Sequence, residues 1–296
     1  MRLLAELLRA LRPRQWTKNF FVFAGLVFSQ HLIDAVQVVQ VVGAFVVFCM
    51  ASGCIYLFND LVDLQRDRLH PLKSLRPLAS GRLAVGVARW ALAALLGLTV
   101  GLGFLLGLPF LTVILVYLGV QILYSLLLKR IVILDVFCIA AGFVLRVLAG
   151  AVVIQVDVSR WLVVCTLMVS LFLGLAKRRH ELTLAGEDAT SHREVLADYS
   201  PDLLDQLISV VTAATVLSYT LYTVDPETVA KFGTGNLVLT VPFVLYGVFR
   251  YLYLIHMKGG GAGGAGGSPE STLLNDPPLL ANIGLWGLVV VLVLYS

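Results

Sequence analysis

Of 296 residues, 59% are hydrophobic and only 14% charged, with a mean hydropathy of +0.91, whereas a water-soluble domain carries roughly 25% charged residues. This excludes an ordinary soluble globule. The net charge of +4 is small, so its distribution matters more than its size, and no nucleic-acid partner is expected.

The chain opens with MRLLAELLRALRPRQWTKN, which lacks the continuous apolar core and small-residue cleavage site of a signal peptide. Residues 1–18 read instead as a basic amphipathic segment lying on a membrane surface. Apolar runs then recur to the end. Spans are expected at about 19–33, 38–58, 84–107, 109–128, 132–154, 160–176, 205–225, 236–257 and 278–295, the first of them short. The fold class is therefore an all-α polytopic membrane protein with about nine transmembrane helices, one domain over 1–296. All four cysteines, Cys49, Cys54, Cys138 and Cys165, lie inside these runs without metal-ligand spacing, so neither disulfides nor zinc are expected.

Eighteen of the 22 lysines and arginines fall in the N-terminal segment and in alternate later loops, against Arg160 and Lys231 on the other side. Positive charge marks the cytoplasmic face, which puts the N-terminus in the cytoplasm and, with nine spans, the C-terminus outside. The outer loops are minimal, so any chemistry belongs to the cytoplasmic face. The glycine tract within 258–277 reads as a flexible cytoplasmic linker before the last helix.

The strongest motif is Asn59-Asp60-Leu61-Val62-Asp63-Leu64-Gln65-Arg66-Asp67, at the end of the second span. If the helix continues, Asp60, Asp63 and Asp67 share one face. Three carboxylates on one stripe repel unless a cation neutralises them, and hard oxygen ligands suit Mg2+ held together with substrate phosphates. Asn59, Asp60, Asp63 and Asp67 are the candidate metal ligands, the three aspartates also the candidate catalytic groups. Lys73 and Arg76 follow in a Pro- and Gly-rich turn, near enough to bind bridged anions.

Further ionisable groups are expected on the same face: Lys18 before the first span, Tyr124 and Lys129 closing the fourth, Asp135 and Arg146 in the fifth, and Lys177, Arg178 and Glu181 closing the sixth. Asp135 and Arg146 are eleven residues apart, roughly 16 Å along a helix. A charge at membrane depth is a functional candidate, with a structural ion pair as the alternative. Lys177 and Glu181 at i, i+4 also suit a simple stabilised helix end. No histidine has metal spacing.

NDxxDxxxD at the end of the second of nine helices, with positives on alternate loops, resembles the UbiA superfamily of intramembrane prenyltransferases, over essentially the whole chain. Within it, RPRQWTKN (12–19), NDLVDLQRDRLHPLKSLRPLASG (59–81), YSLLLKRIVILD (124–135), LRVLAG (145–150) and AKRRHEL (176–182) resemble the decaprenyl-phosphate phosphoribosyltransferases. The resemblance implies a helical bundle around a cavity open to the cytoplasm, in the bacterial inner (plasma) membrane, possessing a Mg2+ cofactor. It also implies transfer of 5-phosphoribosyl from phosphoribosyl diphosphate to polyprenyl phosphate, in arabinan synthesis, by a homotrimer.

Ordinary members of the superfamily carry a second DxxxD motif after the sixth helix. Here Lys177-Arg178-Arg179-His180-Glu181 stands there, and cations suit further phosphate monoesters better than a second metal. Prenyl transfer to an aromatic or quinone precursor, and lipid or ion transport, are the alternative readings.

Overall fold

The computed structural model describes residues 2–71, 73–185, 194–258 and 275–295, and among these every regular element is helical. Residues 259–274, the core of the expected glycine linker, lie outside the described residues. The helices are α1 (Arg2–Ala10), α2 (Ala24–Val27), α3 (Ala35–Val62), α4 (Leu64–Leu69), α5 (Val85–Leu105), α6 (Leu108–Leu126), α7 (Leu134–Val153), α8 (Arg160–Ala185), α9 (Pro201–Val224), α10 (Pro226–Phe232), α11 (Val241–Tyr253) and α12 (Pro277–Tyr295). Among the described residues eight helices are long and apolar enough to cross a membrane. The chain forms two compact units, residues 1–126 with 145–158, and residues 127–144 with 159–296.

In the first unit α3 is the axis. Asp34 starts it by accepting from the backbone N–H groups of Val36 (3.0 Å) and Gln37 (3.3 Å), which satisfies two of the donors that every helix start leaves open. Its 28 residues reach about 42 Å, more than the ~30 Å hydrocarbon core. Phe48, Ala51, Phe110, Ile114 and Tyr117 pack into one buried core with Val22 and Leu26. Trp90, Leu98, Phe104, Leu105 and Val116 of α5 and α6 are exposed, as side chains facing lipid are.

The first expected span, 19–33, is not one helix. Pro13–Phe23 is a 3-10 helix, followed by the single α-turn Ala24–Val27. The segment nonetheless runs the length of α3: Arg12 meets Asp60 near one end, Asn19 donates to Cys49 in the middle (3.3 Å), and Asp34 caps the other end. A 3-10 helix rises ~2.0 Å per residue, so the eleven residues Pro13–Phe23 cover about 22 Å.

This segment lies in close backbone contact with α7. A Cβ at Gly25 would stand 2.8 Å from the backbone nitrogen of Ala151, and one at Gly150 would overlap the carbonyl of Val22. Two glycines let the backbones of this segment and α7 touch, as small residues do between membrane helices. Gly150→Ala is expected to cost about 1–3 kcal/mol through overpacking, read as a lower unfolding temperature in detergent. Gly97→Ala and Gly119→Ala, where nothing lies within 4 Å of the added carbon, should leave that temperature unchanged or slightly raised.

In the second unit α8 and α9 pack along Leu171, Leu175, Leu204 and Ile208. Gly174 lies against Val136, whose Cγ1 would be 2.7 Å from an added Cβ. Ser200 caps α9 through the N–H of Leu203 (3.1 Å), with Pro201 in its first turn. Asp276 caps α12 and receives both arms of Arg250 at 3.1 and 2.9 Å. All four cysteines are free.

Candidate functional site

The acidic stripe sits where α3 gives way to α4. The expected continuous helix is interrupted at Asp63, whose backbone (φ −89°, ψ 8°) ends α3 and starts α4. The hydrogen-bond ladder carries through the break, from the N–H of Asp63 to the carbonyl of Asn59 (2.9 Å) and from the N–H of Asp67 to that of Asp63 (2.8 Å). Asp60 and Asp67 are therefore still on one side, and one guanidinium proves it: Arg76 donates to Asp60 Oδ1 at 3.2 Å and to Asp67 Oδ2 at 2.5 Å. Both carboxylates are buried, and Asp63 is half-buried.

A second arginine, Arg12, donates to the same Asp60 oxygen, and Asn59 Oδ1 accepts from Ser125 at the end of α6. The other Asp60 oxygen, Oδ2, is buried and has no hydrogen-bond partner. A buried carboxylate oxygen left unsatisfied costs free energy unless something binds it. The oxygen-rich set of Asn59, Asp60, Asp63 and Asp67 fits Mg2+ in chemistry. Among the described residues no three His, Cys, Asp or Glu side chains gather as a ready metal cage.

Lys73 starts a short 3-10 turn, Lys73–Leu75, which hands on to Arg76 through a bond from the N–H of Arg76 to the carbonyl of Lys73 (3.0 Å). Lys18, in the 3-10 segment, and Tyr124, one residue before Ser125, are half-buried in the same unit. Arg146 is also in this unit, on the second half of α7, and is buried. Its Nε donates to Asn19 Oδ1 (2.8 Å) and an η nitrogen to the Tyr117 hydroxyl (3.0 Å), with the guanidinium 4.9 Å from the Tyr117 ring centre. Ser52 donates to the same Asn19 oxygen at 3.3 Å.

Asp135, eleven residues earlier on α7, belongs to the second unit and has different partners. Arg178 Nε donates to its Oδ2 at 2.6 Å, and the Tyr199 hydroxyl to its Oδ1 at 2.8 Å. Tyr199 in turn accepts from the backbone N–H of Ile133 at 2.7 Å, a β-branched residue held at φ +69°. That strain persists only where surrounding contacts impose it. Burial, then the bond to Asp135, pushes the Tyr199 phenol above its ordinary range, so it stays a donor. Arg178 completes the chain with a 2.5 Å bond to Glu181, which lies 3.9 Å from Lys177.

Asp135 and Arg178 are both fully buried, whereas Lys177 and Glu181 keep side-chain exposures of 34% and 28%. Arg178 thus braces the end of α8, and Lys177 is the more accessible cation. Lys129 lies in the 3-10 turn Leu128–Arg130 of this unit, half-buried. Nearby on the helix, Arg179 pairs with Asp205, which His256 also approaches at 3.5 Å.

The family model described as the UbiA prenyltransferase family matches residues 19–264. The chain belongs to the UbiA prenyltransferase family. It is thus an integral membrane protein and a transferase by family. Among UbiA relatives it is 33% identical to the decaprenyl-phosphate phosphoribosyltransferase of Corynebacterium glutamicum, over 98% of this chain and 86% of that protein. It is 33% identical to the Mycolicibacterium smegmatis protein of the same name, over 96% and 92%. In structure it resembles a UbiA homolog from Archaeoglobus fulgidus bound to GPP and Mg2+, with a TM-score of 0.73 and 19% identity, covering 98% of this chain and all of that one. At that identity the likeness establishes the UbiA fold.

Four partners in these networks were not singled out from the sequence: Arg12, Tyr117, Ser125 and Tyr199. Arg12 was visible as a cytoplasmic charge and as the first residue of RPRQWTKN, with nothing local to pair it with Asp60. Tyr199 sits just before a helix cap, with nothing local to connect it to Asp135.

Proposed function

We propose that this UbiA-family protein transfers 5-phosphoribosyl from phosphoribosyl diphosphate to polyprenyl phosphate, releasing diphosphate, on the cytoplasmic face of the membrane. The observation that carries this reading is the cationic end of α8, Lys177 to Glu181, where prenyltransferases of the family have a second acidic motif. The names of the relatives, at 33% identity over nearly the whole chain, support it. The same resemblance extends the reading to arabinan precursor synthesis and a homotrimer, and the distribution of lysine and arginine to a cytoplasmic N-terminus, with nine crossings putting the C-terminus outside.

Asn59, Asp60, Asp63 and Asp67 would hold Mg2+, which supplies charge neutralisation for the departing diphosphate. Arg76 and Lys73 add fixed positive charge beside those oxygens, so that leaving-group charge develops against groups already in place. Tyr124 offers a hydroxyl from the end of α6, and Lys18 a further cation. Arg146 is held by Asn19 and Tyr117 at membrane depth, where a buried cation favours an anionic head group. Lys129 and Lys177 are the cations proposed for the remaining phosphates, Glu181 for ribose hydroxyls, and Asp135 with Arg178 for bracing them. The lipid phosphate is already an anion and needs no base to attack ribose C1. A single displacement through an oxocarbenium-like state inverts that carbon.

Transfer of label from ribose-labelled donor to polyprenyl phosphate should vanish on chelation and return with Mg2+. Full activity in chelator would remove the metal from the proposal.

Prenyl transfer is the second reading, because the solved neighbour was bound to GPP and Mg2+.

A further inference from the structure

Arg12 has a backbone that needs explaining. It is held at φ 52° and ψ 62° directly before Pro13, a left-handed conformation that a side-chain-bearing residue keeps only where its surroundings impose it. Two contacts do so: its guanidinium lies 5.0 Å from the centre of the Tyr56 ring, and it donates to Asp60 Oδ1. Arg76 donates to that same oxygen but is anchored a second time, on Asp67. Two guanidinium groups on one carboxylate oxygen repel each other, and a divalent cation joining that carboxylate would repel both. Arg76 keeps Asp67 if Asp60 is taken.

We propose that Arg12 is a diphosphate ligand held in reserve: it shares Asp60 with Arg76 until a divalent cation takes that carboxylate, and then turns its guanidinium onto a phosphoryl oxygen of the metal-bound diphosphate. This rests on the acidic stripe being the metal–diphosphate site. The buried, partnerless Asp60 Oδ2 gives the incoming cation an oxygen that no arginine occupies. A planar guanidinium matches phosphoryl oxygens in geometry and charge. The Tyr56 ring keeps the group at the site through the exchange, by the attraction of a cation to an aromatic face.

The test titrates Mn2+ into the purified full-length protein in detergent, with and without inorganic diphosphate, following free Mn2+ by electron paramagnetic resonance. Arg12→Gln should bind Mn2+ alone about tenfold more tightly than wild type, since one charged hydrogen bond no longer competes. The strengthening of Mn2+ binding by diphosphate should fall by about tenfold in the same variant. Arg12→Lys keeps the charge without the fork and should show the second effect at reduced size; it carries the test if Arg12→Gln does not elute as folded protein. Unchanged or weaker binding of Mn2+ alone to Arg12→Gln overturns the proposal, as does undiminished strengthening by diphosphate in either variant. Asp60→Asn separates the two levels. If it binds Mn2+ as wild type does, the metal site itself is wrong and Arg12 falls with it; if it loses Mn2+ while the Arg12 variants behave as wild type, only the role of Arg12 is wrong.

Discussion

Asp60→Asn is expected to lower the proposed phosphoribosyl transfer at least about a hundredfold while leaving the protein folded. The first half follows from position: Asp60 is the buried carboxylate on which Arg12 and Arg76 converge, and its second oxygen has no partner. An amide keeps the shape but loses the charge that would hold Mg2+, and removing one preorganised positive group or donor from a developing anion typically costs 10²–10³ in rate, on the order of 3–4 kcal/mol. The second half follows because Arg76 retains Asp67 at 2.5 Å and Arg12, with 24% side-chain exposure, has access to water. Initial rates at saturating lipid, with a melting curve on the same preparation, check both halves. Wild-type turnover in Asp60→Asn would remove this carboxylate from the chemistry.

The largest effect on stability is expected at Arg178. Its side chain and that of Asp135 are fully buried, 2.6 Å apart. Arg178→Met leaves the Asp135 carboxylate with the Tyr199 hydroxyl but no cation, and stranding one member of a buried pair costs about 3–5 kcal/mol. Neutralising both, as Asp135→Asn with Arg178→Met, should recover most of that loss, because no buried charge then remains. Unfolding in detergent of the two single variants and the double variant measures the coupling. Additive losses would mean that the pair does not act as a unit.

What the sequence discloses depends on how local its cause is. The eight long helices are readable because each fills an apolar window long enough to cross the bilayer, and their bounds differ from those expected mostly by a few residues. The 3-10 form of Pro13–Phe23 is not readable in its own residues, and its close contact is with Gly150, more than a hundred residues away, which lies against the backbone of Val22. The acidic stripe is readable from spacing alone, but its break at Asp63 is not. Asp135 and Arg146 share a helix face by arithmetic, yet Asp135 belongs to Arg178 and Tyr199 while Arg146 belongs to Asn19 and Tyr117. The local pairing of Lys177 and Arg178 with Glu181 is visible at i, i+4 and i, i+3. The deeper brace is not, since Asp135 lies 43 residues from Arg178 and 64 from Tyr199.

Donor choice tests the central claim most directly. Purified protein should be offered phosphoribosyl diphosphate with polyprenyl phosphate, and separately geranyl diphosphate with an aromatic acid, each with Mg2+, and the products weighed by mass spectrometry. A polyprenyl phosphoribose in the first reaction and no prenylated aromatic in the second is the predicted result. Prenylated aromatic product without any phosphoribosyl lipid would contradict it.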